Sequence, residues 1–436
     1  MKLTEFRAHA HRMVDWMADY LEKVEEYPVR SQVSPGDIKS QLPKQPPQKG
    51  EPMDRIFSDF ESVVMPGITH WQSPNFFAYF TANSSPPSIL AEMLTATLGA
   101  QCMLWQTSPA ASEMEDVVTD WLRQAMNLPD EFKGVIQDSA TSATLVALLT
   151  AREKATNYQG NDKGLFKLGQ SGDSLTVYCS EEAHSSVEKG LKIAGFGKEN
   201  FRKIQADSGF AMDLPKLEAQ IVEDKKAGHK PTIVVASIGG TSVGAVDDLT
   251  GVGEICQRHN VWLHVDAAWA GSAMILPELQ HHLKGARYMD SFVFNPHKWL
   301  LTNFDCSVYF IKDPVALEKT LALIPEYLKS PEGRTVTDYQ NWSVPLGRRF
   351  RALKLWFVIR SYGMEGLRSI LRNHLLWAEE VYTQVSQDPD FEILSPLRFT
   401  LFSFRFAPEG VDEAKLTALN EQLVNTVNDR GHIYIT

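Results

Sequence analysis

Cysteine is scarce in this chain, and its spacing rules out the usual structural uses. The four cysteines, Cys102, Cys179, Cys256 and Cys306, form no CxxC or CxxH pair, which excludes a zinc signature and a disulfide framework. A reducing, cytoplasmic setting is the expectation. Basic residues are also in deficit, with 43 Lys and Arg against 54 Asp and Glu and a net charge of −11. That balance argues against a nucleic-acid partner or an anionic membrane surface, both of which need basic patches. No apolar run is long enough to span a bilayer, and residues 1–6 lack the apolar core of a signal peptide.

What is present is the composition of a soluble enzyme-sized protein. At 436 residues with 43% hydrophobic content, the chain exceeds one simple core and predicts two or three domains. Leu3, Phe6, Ala10, Met13, Met17 and Leu21 follow helical spacing and predict an amphipathic helix. Residues 28–53 carry Pro28, Pro35, Pro43, Pro46, Pro47 and Pro52, an extended linker with no element of its own. A helix ahead of such a linker has no local core, so it packs on a partner subunit or docks on its own chain.

From about residue 130 strand and helix alternate. The runs 134–137, 175–179, 231–237 and 261–265 look like buried parallel strands, each followed by a helical pattern. Residues 345–385 predict a helix, and 391–394 and 401–406 predict half-buried strands. Residues 431–436 look like part of another strand. The expected organisation is an arm and linker (1–80), a large α/β domain with a mostly parallel sheet flanked by helices (81–345), and a small α+β domain (346–436).

The segment from Ser291 to Leu301 places a lysine between apolar runs. Burying an ammonium without compensation is costly, so such a lysine has a lowered pKa or a partner. A neutral, desolvated amine is what a Schiff-base nucleophile needs. Snorkelling of the Lys298 head to solvent is the competing reading. Three features at other predicted strand ends bear on the choice. Ser139, Ala140 and Thr141 lie at a strand-to-helix turn, suited to an anion or to simple capping. Asp266 closes a buried strand and must find a cation, a strong donor or a metal; with only His264 nearby as a further ligand type, a metal is disfavoured. His184 follows another strand, as a cap, a surface group or a site residue. A phosphate, a pyridine nitrogen, an aromatic face and an aldehyde match these four features, and pyridoxal phosphate carries all of them.

The strings 264–271 (HVDAAWAG), 295–299 (NPHKW) and 303–306 (NFDC) resemble the group II pyridoxal-phosphate decarboxylases. Within them the chain is most similar to the aromatic-L-amino-acid decarboxylases. Residues 73–80, 105–113, 183–186 and 345–350 carry the same resemblance, which extends from the first helix to about residue 406. It implies the type I fold of pyridoxal-phosphate enzymes and a homodimer with active sites at the subunit interface. It assigns the Schiff base to Lys298, the pyridinium partner to Asp266 and ring stacking to His184, with His297 beside the lysine. It gives the phosphate to Ser139, Ala140, Thr141 and Asn295, and cofactor orientation to Thr241. Trp71, Tyr79 and Phe80 would line the substrate pocket, joined by residues near Met103 from the partner.

The resemblance further implies decarboxylation of an aromatic L-amino acid to its amine. Relatives with phenylalanine in place of the loop tyrosine divert to an aldehyde; this chain has Tyr327 there, in a polar, turn-rich segment. Gly347 and Met103 leave room for tryptophan or its hydroxylated form, with dopa, tyrosine and phenylalanine open. An aldehyde synthase and a non-catalytic cofactor-binding relative are the alternatives. Family members run some forty residues further, so a truncated small domain is expected.

Overall fold

The computed structural model describes residues 1–165, 174–323 and 336–436. Two compact units are present: Met1–Asn83 with Arg405–Thr436, and Ser84–Phe404.

In the first unit the amphipathic pattern forms the helix Leu3–Glu22. Its Trp16 packs edge-on against Phe60, with ring centres 5.2 Å apart, and its Tyr20 hydroxyl meets His70 Nδ1 at 2.8 Å. The proline-rich stretch is mostly extended, but a short helix, Asp37–Gln41, forms between Pro35 and Pro43. At the far end Tyr434 accepts a hydrogen bond from the Phe77 amide (2.8 Å) and donates one to the Asn75 carbonyl (3.1 Å). Residues 431–436 therefore make an isolated bridge to Phe76 and no full strand.

The second unit is built on seven strands: β1 (Lys133–Gln137), β2 (Leu175–Ser180), β3 (Phe201–Ile204), β4 (Lys230–Ser237), β5 (Trp262–Asp266), β6 (Ser291–Phe294) and β7 (Ser307–Ile311). They lie in the order β1-β7-β6-β5-β4-β2-β3. All neighbours from β3 across to β6 pair in parallel, whereas β7 runs against both β6 and β1. The parallel strands β2, β4, β5 and β6 are buried on both faces, which is why they read as apolar runs, whereas β3 at the sheet edge is half exposed. The connection from β6 to β7, residues 295–306, holds only the four-residue helix Pro296–Trp299 and sits at the lower limit of the crossover that a parallel strand needs.

The helix Ala140–Ala155 covers one face of the sheet, burying Ala143, Val146 and Ala147 against Val177, Val235 and Val293. Because β1, β2, β4, β5 and β6 all point one way, their carboxyl ends share one edge. In such sheets that edge is where ligands bind. The predicted helix near 345–385 is Arg351–Gln387, broken at Gly363, where φ is +66°. Two further strands, Phe391–Arg398 and Leu401–Phe406, pair with each other. Among the described residues no helix is long and apolar enough to cross a membrane.

A buried ion pair anchors β1. Arg348 Nη2 reaches Glu115 Oε1 at 2.7 Å and the Ile136 carbonyl at 2.8 Å, while the Ile136 amide donates to the same carboxylate at 2.7 Å. Both side chains are 3% exposed. Removing one partner strands the other charge in the core. Glu115→Ala should therefore lower stability by about 3–5 kcal/mol, read as an earlier denaturant midpoint; an unchanged midpoint would show that Arg348 finds another acceptor.

Candidate active site

A cavity of about 160 Å³ opens at the carboxyl edge of the sheet, and the segments after β1, β2, β4, β5 and β6 contribute to it. After β1 come Ser139, Ala140 and Thr141, at the start of the helix Ala140–Ala155. Ser139 is a true N-cap, its Oγ accepting the Ser142 amide at 3.2 Å. Capping and site lining are thus not exclusive, because the first-turn amides of a helix have no intrahelical acceptor.

His184 and Ser186 follow β2. His184 Nδ1 accepts the Ser186 amide at 3.1 Å and lies 2.8 Å from Ser186 Oγ. With Nδ1 occupied as an acceptor, the neutral ring carries its hydrogen on Nε2. His184 is exposed at the cavity rim, while Ser186 is buried.

Gly239, Gly240 and Thr241 follow β4. Gly239 sits at φ +80°, and a Cβ there would come within 2.8 Å of Trp269 Nε1. That indole nitrogen instead donates to the Gly239 carbonyl at 2.6 Å, so the glycine permits the loop to close against Trp269.

Asp266 ends β5, and its Oδ1 accepts the Ala268 amide at 3.0 Å. Burial pushes its carboxyl above the ordinary range, opposed by that amide and by the charge of Lys298. Two residues upstream, His264 is fully buried, and burial pushes it down to about 3; its Nδ1 meets Ser291 Oγ at 2.9 Å. Among the described residues no cluster of His, Cys, Asp and Glu is placed to hold a metal.

Asn295, His297 and Lys298 follow β6. Asn295 is fixed by Ser307, whose Oγ donates to Asn295 Oδ1 at 2.6 Å. His297 is buried and its Nδ1 accepts the Cys306 amide at 3.0 Å, again leaving Nε2 to carry the hydrogen. Burial, and next the charge of Lys298, push His297 down to about 4. Lys298 is only partly buried among buried neighbours, and it lines the cavity. Burial lowers its pKa and the Asp266 carboxylate opposes that shift.

The cavity therefore gathers Lys298, Asp266, His184, His297, Ser139, Ala140, Thr141, Thr241 and Asn295. It also includes Ser186, Ser237, Ala268 and Trp269, which were not singled out from sequence. Ser186 could have been, since it stands two residues beyond His184 within the resembling segment 183–186. Met103 and Gly347 lie in the same unit but do not line this cavity; Gly347 lines a separate groove with Gln101 and Arg348. Trp71, Tyr79 and Phe80 belong to the other unit. There Trp71 stacks on Phe76 (4.6 Å) and Tyr79 (6.0 Å), and the Tyr79 hydroxyl lies 3.3 Å from that of Tyr434. Tyr327 falls outside the described residues.

Residues 35–407 match the family model for the pyridoxal-dependent decarboxylase conserved domain. The chain is 42% identical over 446 residues to a phenylacetaldehyde synthase of Arabidopsis thaliana, covering all of this chain and 89% of that one. It is 44% identical over 432 residues to an aromatic-L-amino-acid decarboxylase of Sus scrofa, covering 96% and 88%. The crystal structure of Oryza sativa TDC with PLP and tryptamine superposes with a TM-score of 0.95 at 36% identity, covering 100% and 91%.

The low His297 pKa has a consequence for stability. A histidine depressed from 6.5 to about 4 favours the folded state above pH 6.5 and loses that contribution as the pH falls to 4. His297→Gln should flatten the decline in unfolding free energy between pH 7 and pH 4 by about 3 kcal/mol. Parallel pH–stability curves for both proteins would contradict the assignment.

Proposed function

The chain belongs to the pyridoxal-dependent decarboxylase family, and from that premise we propose that it converts an aromatic L-amino acid to the corresponding amine and CO₂. It is a pyridoxal-phosphate-dependent carboxy-lyase. The observation that carries the reading is the pairing, in one cavity, of a buried carboxylate at the end of β5 with a desolvated lysine after β6.

The residues present fit the cofactor. A helix start with two hydroxyls suits a phosphate, and Asp266 offers a carboxylate that burial leaves in need of a cation. On this reading Ser139, Ala140, Thr141 and Asn295 hold the phosphate, Asp266 pairs with the ring nitrogen, His184 covers the ring face and Thr241 orients the assembly. Lys298 would hold the cofactor through its side-chain amine. When bound, pyridoxal phosphate supplies a protonated ring that accepts the electron pair left at Cα as the carboxylate departs. Asp266 keeps that ring nitrogen protonated, since an opposite charge in contact shifts a pKa by about 1–3 units. His297, neutral by burial, serves as a hydrogen-bond donor through Nε2. Return of a proton to Cα is assigned to Tyr327 on the family resemblance.

Among aromatic substrates the reading favours tryptophan or its hydroxylated form, on the family resemblance at Gly347 and Met103, although neither lines this cavity. We read the functional unit as a homodimer. Leu90, Leu94 and Leu98 recur every four residues on the helix Pro86–Leu98 and are 46–63% exposed, an apolar stripe suited to a second copy. A reducing cytoplasmic location is supported by four free, buried cysteines. A second reading, an aromatic aldehyde synthase, is supported by the 42% identity to the Arabidopsis thaliana enzyme of that class.

Purified protein with added cofactor should show the visible absorption band of lysine-bound pyridoxal phosphate. Lys298→Ala should lose the band and on the order of 10⁴ in turnover; a band that survives would overturn the role given to Lys298. Incubation with tryptophan, 5-hydroxytryptophan, dopa, tyrosine and phenylalanine should release CO₂ and amine without peroxide. Peroxide matching CO₂ would instead establish the synthase.

A further inference from the structure

The segment that follows Lys298 is tied down in an unusual way. Residues 300–306 carry the chain from the Pro296–Trp299 helix back to β7. Three alternate residues of this strap are gripped from the helix Pro86–Leu98 and from the start of Arg351–Gln387. The Leu301 carbonyl accepts Ser85 Oγ at 2.7 Å. The Asn303 amide donates to Ser88 Oγ at 2.9 Å, and the Asn303 side chain reaches Ser88 Oγ and Glu92 Oε2, the latter at 3.4 Å. Asp305 accepts Arg351 Nη2 at 2.8 Å.

Behind this grip stands Lys354. Its side chain is 1% exposed, and its Nζ lies 3.0 Å from Glu92 Oε2, the same oxygen that Asn303 approaches. Glu92 also meets the Arg349 guanidinium. A buried ion pair is a poor way to join two helices, because an apolar pair of similar volume is commonly as stable or more so. Here the lysine makes no hydrogen bond, and what it offers is a desolvated charge 3.0 Å from one carboxylate oxygen, the oxygen that the Asn303 side chain approaches at the middle of the strap.

We propose that Lys354 is a positioning residue for Lys298, acting through Glu92 and Asn303 to fix the 300–306 strap and thereby the depth at which Lys298 enters the cavity. The proposal rests on reading Lys298 as the cofactor lysine. Lys354 does not line the cavity, so its removal should disturb the geometry of the reaction and leave the affinity for substrate nearly intact.

Two variants separate positioning from stability. Glu92→Leu/Lys354→Met replaces the ion pair by an apolar one, and Asn303→Ala cuts the link to the strap while keeping the pair. In holoenzyme prepared with pyridoxal phosphate, both should keep an unfolding midpoint close to wild type. Both should also release cofactor faster and lower kcat by about 10–100-fold, as a shift of about 1 Å does, with KM within about twofold. Lys354→Arg, which keeps the charge, should recover most of kcat and the visible band. Wild-type release rates and kcat in both variants would overturn the proposal alone. So would losses that track the unfolding midpoint in every variant, or no recovery in Lys354→Arg. A wild-type protein lacking the visible band would overturn the reading of Lys298 first, and this proposal with it.

Discussion

A carboxylate at the end of a strand buried along its whole length is the constraint around which the site is organised. Burial disfavours the charge of Asp266 and raises its pKa, and one backbone amide, from Ala268, is a small part of what an ionised carboxylate needs. The fold supplies the rest through strand direction. β5 and β6 pair in parallel with Asp266 opposite Val293, so the chain leaving β6 passes along the same edge, and Lys298 arrives in the same cavity. The lysine is itself desolvated and its charge is favoured by Asp266, as the carboxylate's is by Lys298. Neither would be tolerable there alone.

This logic explains what could be read from the sequence and what could not. β2, β4 and β5 were legible because strands covered on both faces show unbroken apolar runs, and the residues after them were legible because chemistry at a parallel edge must follow strand ends. β7 reads as an equally apolar run, Ser307–Ile311, but side-chain pattern carries no direction; its reversal shows only in its antiparallel pairing with β6 and β1. The helix Asp37–Gln41 escaped notice because proline density hid a proline-free gap between Pro35 and Pro43. There Asp37 Oδ2 accepts the Ser34 amide at 2.8 Å, bracing the turn into the helix. Ser186 was missed for another reason. Its contribution is to bond backward to a histidine two residues earlier, a local contact that no periodicity signals.

Burial also came out differently from the simplest expectation. Lys298 is only partly enclosed, and His184 stands exposed at the rim. Lys298 thus combines a pKa lowered by its walls with an open approach, which a fully sealed lysine would lack. Snorkelling and site lining are here the same geometry, because the apolar run that leads to Lys298 is the strand itself.

The element that carries Lys298 is only four residues long, far below the length at which a helix sustains itself. Its placement must therefore be imposed from outside, and the anchors come from separate parts of the unit. The Asn295 amide donates to the Ala268 carbonyl at 2.8 Å, joining the helix start to the loop after β5. His297 is bonded in both directions to Cys306, at the entrance to β7. Trp299 Nε1 donates to His374 Nδ1 at 3.0 Å, on the long helix Arg351–Gln387. Each anchor is polar and directional where an apolar contact would allow sliding. Apolar packing forms the sheet and its helices, but a reacting amine must be held to a fraction of an ångström. Hydrogen bonds from β7, the β5 loop and the long helix supply that tolerance, and they account for the density of buried polar groups around so short a helix.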